Sequence, residues 1–284
     1  MNKFLFNISR ILFVIAIPAF IFSCKSEGEG DDETTEDTTT VISDQPADPN
    51  ITFKLPSPVE LYIFLRQDKV KFNKDILNPI DNVSKYLTTK QKAINFGIYA
   101  SDLAYCTVYA KNQETFNYFS TAKQIADELG LTEGFDDTMA DRIDKNINDP
   151  DSLYELSSDA YFTATQFLES QGRANLLPLI IAGGWLESAY IASQSVEKYT
   201  EDDPTVLRVA EQQFLLETLV EYFDSIKETN EDIKGILEDM LDLQQSYDKL
   251  YDNTDVVITE KQFNEIKAKV TELRNKYTLN ESSS

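Results

Sequence analysis

From Phe53 onward the apolar side chains recur at spacings of three and four, the period of helices packed against a core. Start and stop signals fall at the ends of these periodic stretches. Ser57-Pro58-Val59-Glu60 sets a capping hydroxyl, a first-turn proline and a capping-box glutamate in order. Asn78-Pro79, Asp149-Pro150 and Asp203-Pro204 repeat the cap-then-proline opening, and Thr259 with Gln262 opens the last helix. Gly130 and Gly172 stand where left-handed residues would close helices ending at Leu129 and Gln171. These signals predict helices over residues 58–67, 79–87, 90–111, 113–129, 135–147, 150–171, 174–199, 204–228, 231–252 and 260–277. Only Val256-Val257-Ile258 reads as a strand. No period near 34 residues recurs, so a regular tetratricopeptide array is not expected. The predicted fold is all-α, an irregular multi-helix bundle or short helical layer stack of about ten helices.

Two of these helices are apolar nearly all round, which marks them as central. They are AINFGIYASDLAYCTVYA, residues 93–110, and LLPLIIAGGWLESAYIAS, residues 176–193. In the second, Ala182-Gly183-Gly184 lowers helix propensity but lets a neighbouring backbone approach closely. The stretches also resemble each other. Asp102 precedes Tyr105 by three residues and Glu187 precedes Tyr190 by three, so each carboxylate shares a helix face with a phenol. An isolated buried charge is costly, so each acid must be paired, hydrogen-bonded or beside a cavity. One reading places Asp102, Tyr105, Trp185, Glu187 and Tyr190 around a pocket that binds ligand hydroxyls or amines between aromatic faces. The other has each acid accepting from a tyrosine, an arginine such as Arg173, or a helix N-terminus as a structural contact.

The N-terminus carries a different pattern. Lys3 and Arg10 precede an apolar run from Ile11 to Phe22, followed by Ser23 and Cys24, the layout of a secretory signal. The uncharged stretch Ile11–Ser23 has 13 residues and contains Pro18, whereas a spanning helix needs about 20. Ile21-Phe22-Ser23-Cys24 resembles the lipobox of bacterial lipoproteins, with Phe22 bulkier than usual and Ile21 in place of leucine. The resemblance implies cleavage before Cys24, diacylation of its sulfur and acylation of the new amine with palmitate-type chains. Each buried methylene of such chains contributes about 0.8 kcal/mol, so two or three chains anchor a domain without a spanning helix. Lys25-Ser26-Glu27-Gly28-Glu29-Gly30-Asp31-Asp32-Glu33 then opens a tract with too few apolar residues to fold. An acidic run directly after the lipidated cysteine resembles the surface-export signal of Bacteroidota lipoproteins, which implies a domain facing the cell exterior. The alternative is a solvated spacer on the periplasmic face of the outer membrane. The expected organisation is therefore a signal peptide over residues 1–23, a lipidated acidic tether over 24–52 and an all-helical domain over 53–284.

Charge and residue usage narrow the function. Of 26 Lys and Arg, Lys3 and Arg10 lie in the leader, so the mature chain keeps 24 against 49 Asp and Glu, a net of −25. Such a surface repels phosphate backbones, and no nucleic-acid partner is expected. The chain has no histidine, which removes Ser-His-Asp and Cys-His catalysis and most zinc sites. Cys106 has no mate once Cys24 is acylated. Ser-x-x-Lys occurs at Ser120/Lys123, Ser195/Lys198 and Ser246/Lys249 without the Ser-Asp-Asn or Lys-Thr-Gly that accompany it in penicillin-binding proteins. Asp144, Asn146, Asn148, Ser152 and Glu155 have the spacing of an EF-hand calcium loop. Asp149 stands where that loop needs glycine, however, with Pro150 behind it, and the competing reading is a helix connection capped by Asp149 or Asp151. No other cofactor is suggested.

The sequence thus points to a lipid-anchored helical module that binds or scaffolds a protein, small molecule or glycan. It shares that location with the glycan-capturing lipoproteins of Bacteroidota, whose chains are much longer. The alternative is a carboxylate-based, glycosidase-like hydrolase using Asp102 and Glu187.

Overall fold

The computed structural model describes residues 58–131, 137–146, 149, 152, 155, 166–229, 231–252 and 258–278. The described residues form helices and no strand. They are α1 (Pro58–Gln67), α2 (Thr89–Val108), α3 (Asn112–Glu128), α4 (Asp137–Asn146), α5 (Leu177–Gln194), α6 (Pro204–Ile226), α7 (Glu231–Asp248) and α8 (Glu260–Thr278). Residues 166–170 are also helical. All lie in one unit spanning 53–284. The expected signal peptide and acidic tether, with Cys24 between them, fall outside the described residues, as do Ser57, Val256 and Val257.

The helix ends follow local chemistry. The Asp203 carboxylate accepts from the Thr205 N–H at 2.8 Å and starts α6. Thr259 and Gln262 exchange bonds as a capping box before α8, and Thr88 and Gln91 do the same before α2. Gly130 and Gly172 adopt φ of +69° and +64°. At each, the next N–H reaches back five residues, Leu131 to the Ala126 carbonyl and Arg173 to the Leu168 carbonyl, both at 2.8 Å. These are Schellman closures. Two further closures use residues with a side chain. Lys69 and Ala110 take φ of 64° and 52°, with Val70 bonded to Leu65 and Lys111 to Cys106. The second ends α2 at Val108, short of the expected 111.

Two other expectations are corrected. Residues 79–87 do not form an α-helix; Ile80–Lys85 is a 3-10 helix. Asn78 gives it no side-chain cap, because its amide is buried and bonded to Tyr86 and Asn82 instead. The stretch expected over 174–199 begins as a 3-10 turn and is α-helical only to Gln194.

The bundle is organised around α2 and α5, whose mutual contact is the most extensive among the described helices. A Cβ added to Gly97 would lie 2.0 Å from the Ile180 carbonyl oxygen, and one added to Gly183 would lie 2.0 Å from that of Ile94. The missing side chains let the two backbones touch. Further along, Asp102 meets Glu187, so the two helices run in the same direction. On the other side of α2, α1 runs parallel to it: Tyr62 bonds to Ser101, and Arg66 bonds to the Val108 carbonyl. Opposite in direction to α5 is α8, shown by Arg274 at Glu187 and Gln194 at Thr271. Lys269–Asp242 and Lys276–Asp239 pairs tie α8 to an antiparallel α7. The span Ala174–Gln194 is long and apolar enough to cross a bilayer, but 72% of its apolar window is buried within the bundle. Leu179, Leu186, Ile191 and Ala192 spend that apolarity on the protein core.

Candidate functional site: a buried carboxyl pair on Arg274

The parallel register of α2 and α5 brings Asp102 and Glu187 together in the centre of the bundle. Both are 0% exposed. Glu187 is held from α8 by a two-point ion pair: Arg274 donates from Nε to Oε2 and from Nη2 to Oε1, each at 3.0 Å. That fork geometry satisfies both carboxylate oxygens at once. The guanidinium also lies over the Tyr190 ring, 4.6 Å from its centroid, a desolvated cation–π contact. Burial opposes the Arg274 charge, but Glu187 and then Asp102 outweigh it and raise its pKa.

Asp102 is held differently. Its Oδ2 accepts the Asn78 N–H at 3.2 Å, while Oδ1 is buried with no donor to accept from. Burial, and next the charge of Glu187, lift the Asp102 carboxyl well above the usual carboxylate range; Arg274 and the Asn78 N–H pull it down by less. Around the pair runs a network of phenols and amides. Asn78 donates to the Tyr86 hydroxyl, and its carbonyl accepts from Tyr118. Tyr99 donates to the Pro79 carbonyl and Tyr62 pairs with the Ser101 hydroxyl at 2.6 Å.

The five residues expected to share a pocket divide. Asp102, Glu187 and Tyr190 meet at Arg274. Tyr105 is fully buried among Tyr62, Phe72 and Tyr109, and its hydroxyl accepts from the Asn73 N–H. Trp185 is buried, and its indole nitrogen has no hydrogen-bond partner. Neither carboxyl is exposed to solvent in this arrangement. The arginine that meets Glu187 is Arg274, not Arg173, which donates to the Leu129 carbonyl at the end of α3. Arg274 was readable in outline. It lies four residues after Val270 on the stripe carrying Phe263, Ile266 and Val270, so a cation stands on a core-facing position.

Of the residues with calcium-loop spacing, Asp144, Asn146, Ser152 and Glu155 are among those described. Asp144 and Asn146 fall inside α4, and the Asn146 amide donates to the Arg142 carbonyl. Asp149 accepts from both the Ser152 N–H and its hydroxyl, the arrangement of a helix cap. Glu155 is helical, and Asn148 lies outside the described residues. Among the described residues no cluster of three or more Cys, Asp or Glu is placed to hold a metal ion. The Ser120 and Ser195 hydroxyls bond back to carbonyls of their own helices.

Fold and site together define an all-α bundle built on a parallel helix pair with a buried ionic cluster. Compared with known proteins, the chain matches no family model, no curated protein and no solved structure.

Proposed function

We propose that this protein is a lipoprotein anchored to the outer membrane by acyl chains on Cys24 and displayed at the cell surface, with its helical domain acting as a binding or scaffolding module for a protein or glycan. The observation that carries the reading is Ile21-Phe22-Ser23-Cys24 followed within a few residues by an acidic tract. The signal is too short to span and the seam residue is the one that is lipidated. A non-catalytic role is supported by the use made of the central acids: Glu187 has both oxygens on Arg274, and Asp102 is sealed from solvent. A hydrolase needs its carboxyl pair beside a substrate bond and a water, so the geometry gives that alternative no support.

Metabolic labelling with a palmitate analogue tests the anchor. The wild-type chain takes up label and fractionates with membranes, whereas Cys24→Ala loses the label and is released or stalls in processing. Label retained by Cys24→Ala in an integral membrane fraction would overturn the proposal. Protease added to intact cells tests the display: digestion places the domain outside, and protection places it on the periplasmic face.

A further inference from the structure

The ionic cluster has an imbalance that its hydrogen bonds do not resolve. Glu187 uses both oxygens on Arg274, Asp102 uses Oδ2 on the Asn78 N–H, and Asp102 Oδ1 is left buried beside the Glu187 carboxylate. Two ionised carboxylates in contact repel, and one guanidinium balances only one of them. A proton on Oδ1 removes both difficulties, because a carboxylic acid donates to its neighbour. The cluster is then one neutral acid, one anion and one cation, with no net charge in a place water does not reach.

We propose that this proton is a latch between α2 and α5: with it in place the C-terminal halves of the two helices are bonded through Asp102 and Glu187, and its loss drives those halves apart and admits water to the core. The crossing at Gly97 and Gly183 holds the other half of the pair, so the opening is a splaying about that contact.

The surroundings leave Asp102 as the group that responds to pH. From α1 the cluster is faced by Tyr62, from the preceding connection by Tyr86, and from α3 by Tyr118; burial raises all three. Within α2, burial likewise raises Tyr99 and Cys106 and pushes Tyr105 up to about 12, and on α5 it raises Tyr190. Arg274 is the charged group contributed by α8 and stays protonated. Across the neutral range these phenols and the thiol stay uncharged, so the charge that changes at the cluster is that of Asp102, whose carboxyl burial lifts.

Two spectroscopic readouts test the latch on the full helical chain. Infrared spectra at neutral pH are expected to show a carboxylic-acid carbonyl stretch that is absent in Asp102→Asn. Trp185, the single tryptophan, sits two residues before Glu187, and its emission maximum reports water entry. Raising the pH should shift the wild-type maximum to the red as one proton is lost, the open fraction growing tenfold per pH unit, while Asp102→Asn stays unshifted. Should Asp102→Asn not fold, the wild-type protein alone decides: the loss of the infrared band and the emission shift must share one midpoint. Absence of the acid band at neutral pH, an equal shift in both proteins, or separate midpoints would each overturn the latch.

Discussion

Replacing Gly97 or Gly183 by alanine tests whether the bundle depends on backbone contact between α2 and α5. A methyl group at Gly97 would sit 2.0 Å from the Ile180 oxygen and 2.8 Å from the Gly184 nitrogen, and one at Gly183 would sit 2.0 Å from the Ile94 oxygen. Even a tight contact of 3.0 Å therefore requires the two backbones to separate by about 1 Å. The obstacle is helical backbone packed on both sides, so no flexible side chain can give way. Overpacking of this kind typically costs about 1–3 kcal/mol, and a backbone obstacle belongs at the upper end. Alanine's better helix propensity returns about 1 kcal/mol. The expected net loss is about 2 kcal/mol or more at either position. Gly184 is the internal control: its added Cβ meets the Gly97 oxygen at 3.6 Å, an ordinary contact. Gly184→Ala should therefore gain up to about 1 kcal/mol from propensity alone. Urea melts read all three as midpoint changes at constant slope. Gly97→Ala within about 0.5 kcal/mol of wild type, or Gly184→Ala as damaging as Gly183→Ala, would refute the reasoning.

Arg274→Met should cost about 3–5 kcal/mol, because it strands a fully buried Glu187, and Arg274→Lys should restore only part of this since an ammonium cannot supply the two-point fork; equal urea stability of Arg274→Met and wild type would refute it. Ala110→Gly should stabilise by about 1 kcal/mol, since Ala110 closes α2 at φ 52° where glycine is unstrained, and a lower melting temperature would count against that closure. The Asp102 carboxyl is raised in the folded protein, so its contribution to stability is complete below the unfolded value and is lost as pH rises through the folded one. The stability of wild type relative to Asp102→Asn should accordingly fall as pH rises above the ordinary carboxylate range; a difference that grows with pH has the wrong sign.

The fold was legible where the chain carries local punctuation. Gly130, Gly172, Asp203 and the Thr259–Gln262 pair act at the helix ends they mark, because each works through its own neighbouring backbone. What escaped depends on partners distant in sequence. Asn78 looks like a cap, yet its side chain serves Tyr86 and Asn82 in the core, and the helix it was expected to open is a 3-10 turn. Ala110 and Lys69 end helices in left-handed geometry without glycine, so no residue type marks these closures in the sequence. At the site, Asp102 and Glu187 could be singled out because carboxylates are conspicuous on apolar helices. Their relation could not, since Arg274 lies 87 positions from Glu187. Gly97 had a weaker signal, a lone glycine inside an apolar helix whose partner segment carries Gly183-Gly184.

The parallel arrangement of α2 and α5 also bears on the order in which the molecule can be made. Parallel neighbours cannot be joined by a tight hairpin, and here the chain passes through α3, α4 and residues 166–170 before returning. When α2 leaves the ribosome, the surface that will receive α5 is bare: Ile94, Gly97 and Asp102 have no counterpart until residues 177–194 follow. At about 5–20 residues per second the wait lasts several seconds. For that interval α2 is an apolar rod carrying an unmatched acid, prone to association with other chains. A truncation ending before α5 should therefore not yield a smaller stable bundle, and the minimal folding unit extends at least through the helix that supplies Gly183 and Glu187.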